Sequence, residues 1–163
     1  MRTHNVHHGF TLIELMFSIA ILAIVSVLAT PMFGSNDALQ LNVAKRLLVS
    51  DIEYAQILAI TNPNEQIVLL FEENGKSWYI ATVEEITTPL LDSVTGDPLL
   101  TSMGFGSAAS SPDTTISCNT SDNALIFNSN GGLYDFSQNA EVRLVCGESS
   151  VQVVVSATTG TIR

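Results

Sequence analysis

The sequence predicts an α+β protein, with one long N-terminal helix packed on an antiparallel β-sheet or sandwich domain. Three observations predict it. A nearly uncharged apolar run opens the chain, and an apolar stripe at three- and four-residue steps follows it. From Pro63 onward, short β-branched and aromatic runs alternate with Gly, Asn, Ser and Asp clusters. At 163 residues the chain holds one domain plus an anchoring element and is too short for two full domains.

The apolar run comes first. Leu15 to Phe33 is 19 residues without a formal charge. At about 1.5 Å per residue it spans roughly 28 Å, close to the hydrocarbon thickness of a bilayer. Arg2 precedes it and the next basic residue is Lys45, an asymmetry that places the N-terminus in the cytoplasm and the bulk of the chain across the membrane. A conventional signal peptide fits badly, because the apolar core is overlong and "SVLATP" is a poor small-x-small cleavage site. A plain single-pass anchor fits the length but leaves Glu14 unexplained. Burying a carboxylate there costs on the order of 3 kcal/mol, less if it snorkels to the headgroups.

Gly9-Phe10-Thr11-Leu12-Ile13-Glu14-Leu15 resembles the cleavage and methylation site of type IV prepilins and type II secretion pseudopilins. The resemblance implies that residues 1–9 are a leader cut between Gly9 and Phe10 by a prepilin peptidase. It implies N-methylation of the new Phe10 amine, and pairing of Glu14 with the N-terminal amine of a neighbouring subunit during assembly. The physics agrees, since two costly buried charges become tolerable when paired. Residues 10–33 then form the transmembrane and filament-core half of the helix. Pro31, where pilin helices often carry a proline, would kink or loosen it.

After a polar break at Gly34-Ser35-Asn36-Asp37 the helical pattern resumes as the amphipathic half, residues 34–62. Leu41, Ala44, Leu48, Ile52, Ala55 and Ala59 make one stripe, and Asn62-Pro63 ends the helix. If the two halves are continuous, the helix from Phe10 to Thr61 is about 78 Å long.

Residues 63–163 have the texture of strands. "QIVLLFE" and "SWYIATVE" flank Glu73-Asn74-Gly75-Lys76, whose Asn-Gly is a hairpin signal. "TTISCN", "ALIFN", "AEVRLVC" and "VQVVVSA" follow, for six to eight short strands in all. Thr87 to Pro112 is the least regular stretch and reads as an extended excursion.

Ala124 to Arg163 resembles the C-terminal half of GspH/FimT-type minor pseudopilins, in which a phenylalanine strand leads to a glycine turn, two strands and a Gly-x-hydrophobic-Arg ending. Phe127, Gly131 or Gly132, Val153 to Ser156 and Gly160-Thr161-Ile162-Arg163 carry that outline; Asn62, Val68-Leu69 and Trp78 fit the helix exit and first hairpin. Tyr54-Ala55 departs from the Ala-Arg that the family often shows there.

The formal net charge is −10. Arg2 and Glu14 cancel, which leaves five basic residues (Lys45, Arg46, Lys76, Arg143, Arg163) against fifteen acidic ones. Such a surface keeps a protein soluble and repels phosphate backbones, which argues against general nucleic-acid binding. All three histidines, His4, His7 and His8, precede Gly9. Cleavage there would leave a mature chain with no Ser-His pair, Cys-His pair or histidine zinc site.

Cys118 and Cys146 form an even count in a part of the chain expected outside the cytoplasm. That suggests one disulfide, with two buried free thiols as the alternative. A bridge closing roughly 29 residues would add about 3.5 kcal/mol. Adjacent acids such as Glu72-Glu73 and Glu84-Glu85 would point to opposite faces of a strand, which suits solvated edges better than glycosidic chemistry. Asp92, Asp97 and Asp113 could offer oxygens to calcium, but their spacing is not diagnostic. No metal site and no cofactor is expected.

The resemblance implies a minor pseudopilin without catalytic activity. It would sit in the bacterial inner membrane with a periplasmic domain, then at a filament tip of a type II secretion system that exports folded proteins. The alternative is a minor pilin that primes a type IV pilus; a pilus-tip DNA-uptake receptor, which would lean on Arg143 and Arg163, comes third. The implied partners are other pilins or pseudopilins, the prepilin peptidase and the inner-membrane assembly platform.

Overall fold

A run of Leu, Ile, Ala and Met without Gly or Pro favours a helix, and α1 forms over Leu12–Ala29. The computed structural model describes residues 11–29, 36–134 and 137–163. The chain divides into two units, Met1–Asn36 and Asp37–Arg163. No helix among the described residues is long and apolar enough to cross a membrane. The predicted apolar segment runs on through residues 30–33, which lie outside the described residues, as do Pro31 and the continuity of one helix from Phe10 to Thr61.

In the second unit, α2 spans Asp37–Thr61, with Asp37 in the first turn where a carboxylate suits the helix dipole. It stops just before Asn62-Pro63, as the sequence predicts. The six predicted stripe residues are its buried ones: Leu41, Ala44, Leu48, Ile52, Ala55 and Ala59. Their partners are seven antiparallel strands, namely β1 (Ile67–Phe71), β2 (Ser77–Thr82), β3 (Leu100–Ser102), β4 (Thr115–Cys118), β5 (Ala124–Phe127), β6 (Ala140–Cys146) and β7 (Ser149–Val155). They form a four-stranded sheet in the order β3-β2-β1-β5 and a three-stranded sheet in the order β4-β6-β7. The buried face of α2 closes a single core with side chains from both sheets, among them Phe71, Trp78, Phe127, Leu144 and Val155. The inner positions of β6 alternate cleanly (Ala140, Val142, Leu144 and Cys146 buried), which is the period-two signature of a sheet with one wet face.

The β1–β2 turn is built where Asn74-Gly75 predicts it, with Gly75 at φ +64°. Glu72 is not a free edge charge. Its Oε2 accepts from Asn74 Nδ2 at 2.7 Å and from the Ser77 hydroxyl, bracing the turn from inside. The same turn joins the two sheets, because Ile116 N–H donates to the Gly75 carbonyl at 2.8 Å.

The excursion from Thr87 to Pro112 is more ordered than its sequence predicts. It contains β3, a single 3₁₀ turn at Gly106–Ala108 and a Leu91–Pro98 bridge closed over a turn with Gly96 at φ +76°. Asp92 Oδ1 accepts from Val94 N–H at 2.7 Å and Thr95 N–H at 2.9 Å, and these backbone bonds hold its carboxyl below the usual range. Strand β3 is also tied to α2. Asp51 Oδ2 accepts from both Trp78 Nε1–H and Thr101 Oγ1–H, each at 2.8 Å.

Burial pushes the Asp51 carboxyl above the ordinary carboxylate range, while the Thr101 and Trp78 bonds pull it down. The native state therefore holds that proton more tightly than the unfolded chain. The associated stabilisation is complete below the ordinary value of 3.8 and is lost as pH rises through the raised native value. Relative to wild type, Asp51→Asn should gain stability in denaturant titrations as pH rises above 3.8, because Asn has no charge to bury. A difference that stays flat with pH would contradict this. Asp51→Ala should cost about 1–3 kcal/mol at low pH by stranding the buried Trp78 N–H, and less as pH rises.

The expected disulfide is corrected by the strand register. Both cysteines are free. Cys118 pairs with Val142 on β6, and Thr115 pairs with Val145, so Cys146 lies one step beyond that pair and four positions from Cys118. Four strand residues are about 13 Å, whereas a bridge needs Cα atoms roughly 4.4–6.8 Å apart. Cys146 is 1% exposed, and that burial pushes its thiol up.

Candidate functional site

Glu14 is the one formal charge in α1, and the structure gives it a local task. Thr11 precedes the first helical residue and Glu14 is the third residue of the helix. Glu14 N–H donates to Thr11 Oγ1 at 3.4 Å, and Thr11 N–H donates back to Glu14 Oε2 at 3.4 Å. This reciprocal pair is a capping box, which satisfies donors that a helix start leaves bare. The signal was in the sequence, as a Thr three residues before a Glu ahead of an apolar run, and sequence reasoning about Glu14 missed it. The bonds are long and the carboxylate is exposed, so the cap leaves Glu14 able to take a second partner.

Most of the described remainder of α1 is apolar surface, with Ser18 donating its hydroxyl to the Glu14 carbonyl at 2.8 Å. Leu12, Ile13, Leu15, Met16, Phe17, Ile19, Ile21, Leu22, Ile24 and Val25 are 55–78% exposed. They point in every direction around the helix, which is the pattern of a helix meant to be surrounded. Gly9 and Phe10, the predicted cleavage and methylation site, lie outside the described residues, as do the leader histidines.

The predicted C-terminal motif comes together in the second unit. Gly160, at φ +69°, is held by Gln56 of α2, whose Nε2 donates to the Gly160 carbonyl at 2.7 Å. A Cβ on Gly160 would stand 2.1 Å from the Gly131 carbonyl oxygen. The two glycine stretches therefore cross backbone on backbone, with the helix laid over them. Arg163 is exposed, and its backbone N–H and C=O exchange 3.0 Å bonds with Val154, which extends the pairing along β7. Motif and glycine turn are thus a packing device that fixes β5, β7 and α2.

The wet face of the β4-β6-β7 sheet carries a shallow groove of about 570 Å³ that includes Ser117, Asn119, Glu141, Arg143 and Gln152. Arg143 Nη2 donates to Ser150 Oγ at 3.3 Å, and Glu141 stands two residues away on the same face. Among the described residues no group of three or more His, Cys, Asp or Glu side chains is placed to hold a metal ion. Asp92 and Asp97 share one turn, while Asp113 lies beside Gln40 of α2.

Residues 4–30 match the prokaryotic N-terminal methylation motif, and residues 44–159 match the family described as type II transport protein GspH. No curated protein matches the chain. Among solved structures, the fold is similar to the type IV minor pilin FimU of Pseudomonas aeruginosa. That match has a TM-score of 0.50 at 16% identity and covers 75% of this chain and 84% of the other. It is also similar to the minor pseudopilin EpsH from the type 2 secretion system of Vibrio cholerae, with a TM-score of 0.51 at 9% identity over 76% of this chain and 94% of the other. The methylation motif lies on the exposed apolar segment, and the GspH match covers most of α2 and all seven strands. The chain belongs to the GspH family of pilin-like proteins.

Proposed function

We propose that this chain is a minor pseudopilin, a filament-tip assembly subunit of a type II secretion system that supports export of folded proteins across the outer membrane. It would be processed between Gly9 and Phe10, methylated on the Phe10 amine, and held in the inner membrane with its β domain in the periplasm. The observation that carries this reading is the presence of Glu14, the one formal charge, in a helix whose large apolar side chains from Leu12 to Val25 are exposed. A helix of that kind is stable once lipid or other subunits surround it, and a lone carboxylate within it calls for a cation from a neighbour.

The second reading is a minor pilin that primes a type IV pilus. The likeness to FimU favours it as much as the likeness to EpsH favours the first, and both concern the fold alone. Crosslinking the processed protein in cells and identifying its major-subunit partner separates the two readings. Gly9→Val should block cleavage, so the variant should migrate at precursor size and fail to enter filaments. A mobility identical to that of the processed wild type would contradict the cleavage assignment.

A further inference from the structure

Exposed apolar side chains of the second unit are concentrated in one stretch of the sequence. Among the described residues from Asp37 to Arg163 nine large ones are exposed, and five of them (Ile86, Leu91, Val94, Leu100 and Phe105) fall within twenty residues of sequence. That segment surrounds β3, one of the two edge strands of the four-stranded sheet. The Leu91–Pro98 bridge leads into β3, and Phe105 lies three residues past its end. The edge strand is short, three residues, which limits strand-on-strand pairing and leaves side-chain contact as the way to cover this edge. In the chain it is flanked by Val94 at 90% and Phe105 at 74% exposure.

The segment is held in shape. Leu90 N–H donates to the Ile80 carbonyl at 2.8 Å, Leu99 N–H to Leu90 at 2.7 Å, and Asp92 N–H to Asp97 at 2.8 Å. Leu90 and Leu99 pack against the core, so their neighbours Leu91 and Leu100 are held outward. An apolar surface already fixed in its presenting shape loses little entropy when covered.

Charge states what can cover it. From Ser77 to Glu141 the sequence contains no Lys, Arg or His. The same segment carries Glu84, Glu85, Asp92 and Asp97, of which Glu84, Glu85 and Asp97 are exposed. Anionic lipid and nucleic acid are repelled by such a rim, and a second copy of this chain would bring fifteen acids against five basic residues after its anchor. We propose that the β3 edge, centred on Leu91, Val94 and Phe105, is a docking surface for a different protein whose contact face is apolar at its centre and rimmed by Lys and Arg. This inference concerns the second unit alone and stands whether the filament is a secretion pseudopilus or a pilus.

The test uses the full chain in its native cells, with a photo-crosslinking residue placed at Val94, at Phe105 or, as a control, at Leu39 on α2. Leu39 is also exposed, at 63%. The expected result is one discrete adduct from Val94 and Phe105, at least about tenfold above the Leu39 control, with the crosslinked peptide of the other protein bearing Lys or Arg. Glu85→Lys with Asp97→Lys should reduce that adduct about tenfold or more, and reversing the partner's basic residues to Glu should restore it. Leu91→Ser, an exposed change that spares the core, should weaken it as well. A copy of this chain, lipid or nucleic acid as the captured species would overturn the proposal. So would equal yields at Leu39, or an adduct indifferent to the charge reversal in a variant that unfolds at the wild-type temperature.

Discussion

Glu14→Gln is expected to reach the membrane and be processed, yet to be lost from filaments, with its incorporation down at least about tenfold. The substitution is chosen because two explanations of Glu14 predict opposite results. In the capping box, Gln at the third helical position can replace Glu and still receive the Thr11 N–H. In an intersubunit ion pair it cannot, because the partner amine would be left as an uncompensated charge, at a cost of about 3–5 kcal/mol when buried. Glu14→Ala removes both interactions and should be at least as defective, with about 1 kcal/mol of helix-start stability lost as well. Filament incorporation measured by shearing and immunoblotting distinguishes them. If the Gln variant assembles like wild type while the Ala variant does not, the carboxylate is a cap and the pairing assignment falls.

Gly160→Val should lower the stability of the second unit by about 3–5 kcal/mol through overpacking and backbone strain. Three effects coincide there. The residue occupies φ +69°, which β-branched side chains adopt only under strain. Its Cβ would meet the Gly131 carbonyl at 2.1 Å, and Gln56 Nε2 at 2.7 Å leaves no room on the other side. Gln56 can swing away, but the Gly131 carbonyl is backbone and cannot. Gly96→Ala supplies the control. Gly96 has φ +76° but nothing within 4 Å of the added carbon, so only the local strain of about 1 kcal/mol applies. Thermal unfolding followed by circular dichroism should show a fall in midpoint several times larger for Gly160→Val. Equal effects would mean that the crossing with Gly131 tolerates a side chain.

What could be read from the sequence was whatever is periodic or local. The buried face of α2 follows from the spacing of Leu41, Ala44, Leu48, Ile52, Ala55 and Ala59, because a helix repeats before any tertiary contact is considered. Six strands and the Asn74-Gly75 turn follow in the same way. Strand β3 could not be read, since three residues with no alternation become a strand only by pairing with Ser77, Trp78 and Tyr79. The disulfide failed for a related reason. Counting cysteines carries no information about register, and register keeps Cys118 and Cys146 apart. At the candidate site the opposite happened. The intersubunit reading of Glu14 rests on the motif, while the adjacent Thr11 cap is local and equally present in the sequence as a Thr three residues before a Glu.

The alanines of the α2 stripe have a mechanical consequence. Ala44 and Ala55 are fully buried and Ala59 is 1% exposed, so at three places the helix presents little beyond its backbone to the sheets. Leu48 and Ile52 between them act as pegs. A push or pull along the helix axis would have to shear all of these contacts at once, against strands of both sheets, instead of peeling them one by one. Close packing of this kind yields little before it breaks. The second unit should therefore behave under load as a stiff block that passes axial force through, a useful property for any subunit in a growing rod.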